Sequence, residues 1–188
     1  MASKIVITIL QMIKIRKLVE SDIEFAKSLT DSEEWGNSIE DWNRLLRISI
    51  PLLAYEGENS LGVTTAFDYG DLGMIGNVVV SSNSRGNGVG RLLLKEAMKV
   101  LESCKSVRVH SKMDVVSFYK NLGFMAEGMS TIFRLDADMK SFQPFVIDSD
   151  ENIVPAEGYW DEIIAMDMRQ FGGDRSKLLK EFNDYLPQ

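Results

Sequence analysis

An apolar run that ends in three closely spaced glycines leaves a chain few options. Asn77-Val78-Val79-Val80 reads as a strand. Ser81-Ser82-Asn83-Ser84-Arg85-Gly86-Asn87-Gly88-Val89-Gly90-Arg91 follows as a turn, and Leu92–Leu101 continues as a helix. A strand, a glycine turn and a helix in immediate succession require a helix stacked back on a sheet. Glycines at 86, 88 and 90 also remove side chains where the first amides of that helix have no partner. Bare amides at the positive end of a helix dipole attract anions, and a diphosphate fits such a place.

The spacing narrows the choice of diphosphate. A nucleotide P-loop needs Lys and then Ser or Thr after its last glycine, but Gly90 is followed by Arg91-Leu92. The dinucleotide fingerprint is G-x-G-x-x-G, whereas the glycines here run G-x-G-x-G, which argues against a nicotinamide oxidoreductase. What remains is Arg-x-x-Gly-x-Gly, at Arg85, Gly88 and Gly90. That pattern resembles the coenzyme A pyrophosphate loop of the GNAT N-acetyltransferases. The resemblance implies that Arg85, Gly86, Asn87, Gly88, Val89, Gly90 and Arg91 cradle the diphosphate. It also implies that Val78, Val79 and Val80 lie on a strand splayed from its neighbour, where free backbone groups pair with the pantetheine arm. An unpaired strand edge seeks such partners. Three consecutive valines are equally suited to a buried strand, and both readings hold together.

A second motif lies downstream: Lys112-Met113-Asp114-Val115-Val116-Ser117-Phe118-Tyr119-Lys120-Asn121-Leu122-Gly123-Phe124. Its Phe-Tyr-Lys-x-x-Gly-Phe ending is similar to the GNAT helix beside the thioester sulfur. By that likeness Tyr119 is the catalytic acid that protonates the departing thiolate and also a cofactor contact. A phenol with a pKa near ~10 can donate to a thiolate whose thiol sits near ~8.5. Taken alone, a Tyr on an amphipathic helix is more often structural. Lys112 stands where the family often has an Asn that bonds coenzyme A, and it is an even choice between a cofactor contact and a solvent-facing side chain. No general base is evident. Glu33, Glu34, Asp71 and His110 fall on segments expected near the acceptor cleft, and a water relay is equally compatible.

The resemblance spans about Met12 to Asp136. It implies acetyl-CoA as co-substrate and direct attack on the thioester by a primary amine, on a small molecule or a peptide. A Val78 amide is the expected oxyanion donor. Cys104, at a helix end away from both motifs, is not expected to form a covalent intermediate. The alternative is a non-catalytic acyl-CoA-binding sensor that kept the loop and lost transfer. Glu34-Trp35-Gly36-Asn37, Tyr69-Gly70-Asp71, Ile75-Gly76-Asn77-Val78-Val79-Val80 and Asp167-Met168-Arg169-Gln170-Phe171-Gly172-Gly173-Asp174-Arg175 look like a GNAT subgroup that appends a second, incomplete GNAT-like domain.

Composition excludes other classes. A formal charge of −7 argues against nucleic acid as a partner. One cysteine and one histidine rule out an internal disulfide and a Cys/His zinc site, so no metal is expected. The apolar run Ile5–Leu10 is too short to span a membrane and makes a weak signal peptide, so the cytoplasm is the expected compartment. Ten methionines read as core filler.

Periodicity gives the order β-α-α-β-β-β-α-β-α-β-β, an α/β fold with a mixed central sheet flanked by helices. Ser21-Asp22-Ile23-Glu24 reads as a capping box and Ser38 as the cap of the next helix. Residues 31–47 are expected to build the acceptor cleft. Two short strands are expected near 124–128 and 131–136. The division expected is an acetyltransferase domain at 12–140 and a C-terminal helical appendage at 141–188. In the appendage, Trp160, Ile163, Ile164 and Phe171, then Leu178, Leu179, Phe182 and Tyr185, follow helical spacing, with Asp174 as a cap. Two such helices cannot bury those side chains alone. They must dock on the catalytic domain, near the acceptor cleft, or on a second copy in a homodimer.

Overall fold

The structure is a computed structural model, and it describes residues 12–131 and 156–185. Five strands form one sheet in the order β1-β2-β3-β4-β5: Lys14–Lys17, Ile50–Glu56, Asn59–Asp68, Leu72–Val80 and Ser106–Val109. The first four are antiparallel, and β5 joins β4 in parallel. The mixed α/β architecture read from the periodicity is the one observed. Helices α1 (Ile23–Ser32) and α2 (Ile39–Ile48) precede β2, and α3 (Val89–Val100) crosses from β4 to β5. They are followed by α4 (Val116–Lys120), α5 (Trp160–Phe171) and α6 (Ser176–Tyr185).

The central strands are apolar on both faces because helices cover both. Leu52, Leu53 and Ala54 are consecutive and buried, and so are Val63 to Ala66. One face carries Leu53, Val63 and Val79 against Leu18, Ile23, Ala26, Leu29 and Trp42 from the α1–α2 side. The other face receives α3. A β-carbon on Gly62 would meet Leu93 at 3.3 Å, and one on Gly73 would meet Leu101 at 3.0 Å. Leu93, Leu94 and Leu101 are almost fully buried, each worth about 1.5–3 kcal/mol of apolar burial. This packing fixes α3, and therefore the turn that precedes it.

Local signals account for the helix starts. Ser38 Oγ accepts the Asp41 N–H at 3.0 Å while Asp41 Oδ2 accepts the Ser38 N–H at 2.8 Å, as expected of that cap. Ser21 does not cap α1. A 3-10 turn at Glu20–Asp22 precedes the helix, and the Asp22 carboxylate accepts the Val19 N–H at 2.9 Å. Arg16 Nη1 and Nη2 donate to the same carboxylate at 2.6 and 2.8 Å. This partner from β1 draws Asp22 into the capping role and starts the turn earlier.

No strand forms at 124–128. The other strand expected, at 131–136, lies outside the described residues apart from Thr131, as does the run at 5–10. Methionine is not mainly core filler: Met12, Met98, Met113, Met125, Met129, Met166 and Met168 are exposed. Among the described residues no helix is long and apolar enough to cross a membrane. Residues 1–111 with 162–188 form one compact unit and residues 112–161 a second.

Candidate active site

Strand β4 changes character halfway along. Its first half is paired on both sides, with β3 and with β5 through Leu72↔Ser106 to Ile75↔Val109. Past Ile75 the β5 ladder stops, so among the described residues Gly76–Val80 pairs with β3 on one side and leaves a gap on the other. A bulge sits at the junction. Thr65 pairs with Gly76 and Val63 with Val79, so Asn77 and Val78 together face Thr64. Asn77 has φ +48°, a region that Asn tolerates better than most residues. The Thr64 hydroxyl ties the junction by donating to Gly76 O at 2.9 Å.

The ladder direction shows what the gap contains. The Ser81 N–H donates to Leu61 O at 2.8 Å, so the backbone groups of its neighbour Val80 point the other way, into the gap. There Val80 O accepts from Arg85 Nε at 3.0 Å. Val79 is buried and its side chain belongs to the core, while Val78 and Val80 are half-buried.

The glycine turn begins with a 3-10 turn at Ser82–Ser84. Gly88 then takes the N-cap of α3 with φ +82°, a left-handed conformation that only glycine adopts without strain. The Leu92 N–H reaches back to Gly88 O at 3.1 Å. The earlier amides of Val89, Gly90 and Arg91 therefore have no carbonyl within the helix to pair with. Val89 is buried, so only its backbone can serve a ligand, whereas Arg85, Gly86, Asn87 and Arg91 are exposed. Arg85 pairs through Nη2 with the Glu33 carboxylate. Asp71 is paired with Lys105 at 2.7 Å.

Lys112 and Tyr119 belong to the second compact unit. Lys112 is exposed and precedes a 3-10 turn at Met113–Val115. Tyr119 on α4 is only 8% exposed, with Phe118 and Phe124 edge-on at 5.2 and 5.8 Å. Burial raises its phenol pKa above the ordinary value, so the proton stays on. Cys104 also has a raised pKa, first from burial and then from Asp68, which keeps it a thiol rather than a nucleophilic thiolate.

The C-terminal helices reach the cleft beside α2, one of the two docking places expected of them. A cleft of about 390 Å³ is lined by Gly76 and Asn77 of the bulge, Thr65 of β3, Arg44 of α2, and Arg175 and Phe182 from the C-terminal helices. Several contacts seat those helices. The Asp174 N–H donates to Tyr69 O at 2.8 Å, and Phe171 meets the Tyr69 ring edge-on at 5.5 Å. Arg44 lies over the rings of Tyr185 at 4.0 Å and Phe182 at 5.4 Å, and Arg47 pairs with Glu181. Arg175 donates Nε and Nη2 to Asp167, which holds that carboxyl below its usual range. Helical spacing identified these helices and left their dock open between the acceptor cleft and a second copy, and here they pack on Arg44 at the cleft. Asn77 was visible only as one letter of a strand.

Comparison with known proteins agrees with the geometry. The family model described as "Acetyltransferase (GNAT) domain" matches residues 18–134. YitH of Bacillus subtilis (strain 168), an uncharacterized N-acetyltransferase, is 27% identical over 116 residues, which make up 61% of this chain and 40% of that protein. The chain therefore spans well under half the length of this curated relative. A Pyrococcus horikoshii protein assigned as an acetyltransferase superimposes with a TM-score of 0.64 at 20% identity, over 91% of this chain and 61% of the other. Glucosamine-6-phosphate N-acetyltransferase from Arabidopsis thaliana superimposes with a TM-score of 0.55 at 20% identity, over 66% of this chain and 99% of that one. These two structures share the fold. The bulged strand with its open side, the glycine-capped helix and the family match occupy one stretch of sequence, and the chain belongs to the GNAT acetyltransferase domain family.

Proposed function

We propose that the protein transfers the acetyl group of acetyl-CoA to a primary amine by direct attack. One observation carries the reading: the open side of β4 runs directly into the glycine-capped start of α3. An extended diamide and a diphosphate need such a pair of sites, one after the other. Val78 and Val80 offer backbone groups to the pantetheine arm, and the amides from Gly88 to Arg91 receive the diphosphate. Arg85 would exchange Glu33 or Val80 O for a phosphate oxygen. The Val78 N–H at the bulge is the oxyanion donor.

The acceptor amine enters from the cleft beside Asn77. Its nitrogen bonds to the acetyl carbon, the C–S bond breaks, and the amine proton leaves to water. Tyr119 gives its proton to the thiolate. Burial lifts the phenol further above the thiol, so that transfer is uphill, a cost the collapse of the tetrahedral species can carry, and the phenolate then recovers a proton from water. Lys112 is assigned to the cofactor on the family pattern.

A second reading, an acyl-CoA sensor without transfer, has one observation in its favour: Glu33 and Asp71 are both held by cations. Calorimetry with coenzyme A, paired with thiol release over a panel of amines, separates the two. Binding with amine-dependent release supports transfer, and binding without it supports the sensor. The division at about 140, the two-domain subgroup, the cytoplasmic location and a homodimer remain parts of this proposal. The last is tested by sedimentation.

A further inference from the structure

The cleft next to the bulge holds polar groups that the protein itself leaves unused. Asp41 is fully engaged: Oδ2 accepts from the Ser38 N–H and hydroxyl, each at 2.8 Å, and Oδ1 accepts from Arg44 Nη1 at 2.7 Å. Arg175 spends Nε and Nη2 on Asp167. Two atoms are left over. Arg44 is 5% exposed, and its Nε has no hydrogen-bond partner. Thr65 is wholly buried, and its hydroxyl has none either. Both residues line the cleft. A buried donor without a partner costs stability, and native proteins rarely keep one without a use for it.

The two atoms are of one chemical kind. A guanidinium edge and a hydroxyl can both donate, and a guanidinium suits planar or tetrahedral groups with several anionic oxygens. Arg44 is also held by the rings of Tyr185 and Phe182 and by Asp41, so little side-chain freedom is lost on binding. The charges that line the cleft are Arg44, Arg175 and Asp41, with Arg44 paired to Asp41 and Arg175 to Asp167. Asp41 is neutralised by its own partners, so the cleft offers no free carboxylate to a polycation. Its volume of about 390 Å³ suits a small molecule rather than a protein chain.

We propose that the acceptor is a small primary amine bearing an anionic oxygen group, a carboxylate or a phosphate. Arg44 Nε and the Thr65 hydroxyl bind the anion, while the amine lies toward Asn77. This rests on reading the cleft as the acceptor site of an acetyltransferase. It adds a specificity that the family does not dictate.

The test reads binding first, so that it does not depend on turnover. Calorimetry on coenzyme A-saturated protein compares matched pairs: α- and ω-amino acids with their carboxamides, and aminoalkyl phosphates with the corresponding amino alcohols. The expected result is binding of an anionic member at least about 10-fold tighter than its neutral partner. Which pair shows the effect distinguishes carboxylate from phosphate. Arg44→Met should erase the preference with coenzyme A affinity unchanged. Because Arg44 is buried, Thr65→Val is the second variant. It removes only an unpaired hydroxyl, should leave the melting temperature unchanged or higher, and should weaken the anionic ligand about 2- to 10-fold. Equal binding within every pair, or a preference that survives in both variants, overturns the proposal. Acetylation of neutral amines would then leave the transferase reading standing, whereas absence of acetyl-CoA binding removes that reading itself.

Discussion

Replacing Gly173 should lift the C-terminal helices off the sheet. A β-carbon built there would sit 2.9 Å from Tyr69 Cβ, 3.0 Å from Tyr69 O and 3.2 Å from Leu72 Cβ. All three of those atoms are backbone or β-carbon and cannot swing aside, so the segment itself must move. Overpacking of this kind costs about 1–3 kcal/mol. The adjacent hydrogen bond from the Asp174 N–H to Tyr69 O is stretched by the same movement and adds roughly 0.5–1.5 kcal/mol. A loss of about 2 kcal/mol corresponds to roughly 30-fold faster hydrogen exchange wherever the opening is local. In Gly173→Ala, amides in 162–185 should therefore exchange tens of times faster than in the parent. Amides of β2 and β3 should be unaffected. The acceptor KM should rise, because Arg175 and Phe182 line the cleft, while acetyl-CoA affinity stays the same. Unchanged protection in 162–185 would refute the packing of these helices against Tyr69.

Other expected outcomes follow from the same coordinates. Gly88→Ala forces a β-carbon into a left-handed N-cap, so coenzyme A affinity measured by calorimetry should fall by about 1–3 kcal/mol from misaimed amides. Tyr119→Phe deletes one hydroxyl from a buried ring, and kcat should drop about 10²- to 10⁴-fold with acetyl-CoA affinity little changed. Burial raises the Tyr119 pKa, so the rate should show no alkaline loss from this group until above about pH 10. Asp22 is held below its ordinary pKa chiefly by Arg16, and Asp41 chiefly by the Ser38 N–H. Their stabilisation is complete above about pH 4, the unfolded value, and is lost as pH falls through the lowered folded values. Chemical denaturation from pH 7 to pH 3 should show that loss, and Asp22→Asn should remove part of the slope.

What was legible in the sequence was whatever short-range chemistry determines. The glycine turn could be read because Gly88 needs a left-handed N-cap, and the Ser38 box because Ser and Asp three residues apart satisfy each other's amides. Asp174 was readable for a similar reason, and its carboxylate accepts the Ser176 N–H at 2.9 Å. Where a distant partner intervenes, the local signal misleads. Asp22 is drawn by Arg16 from another element, so the cap moved away from Ser21. Thr65, Arg44 and Phe182 are far apart in sequence, and only folding brings them to one cleft. No periodicity marks the bulge at Asn77, because it arises from a mismatch in count between two strands.

Acetyl transfer is tested most directly by thiol release from acetyl-CoA, with product mass followed across a broad panel of primary amines. Release should depend on a particular amine, give one acetylated product per thiol freed, and be lost in Tyr119→Phe. Tight binding of acetyl-CoA, with release never above the hydrolytic background for any amine, would contradict it.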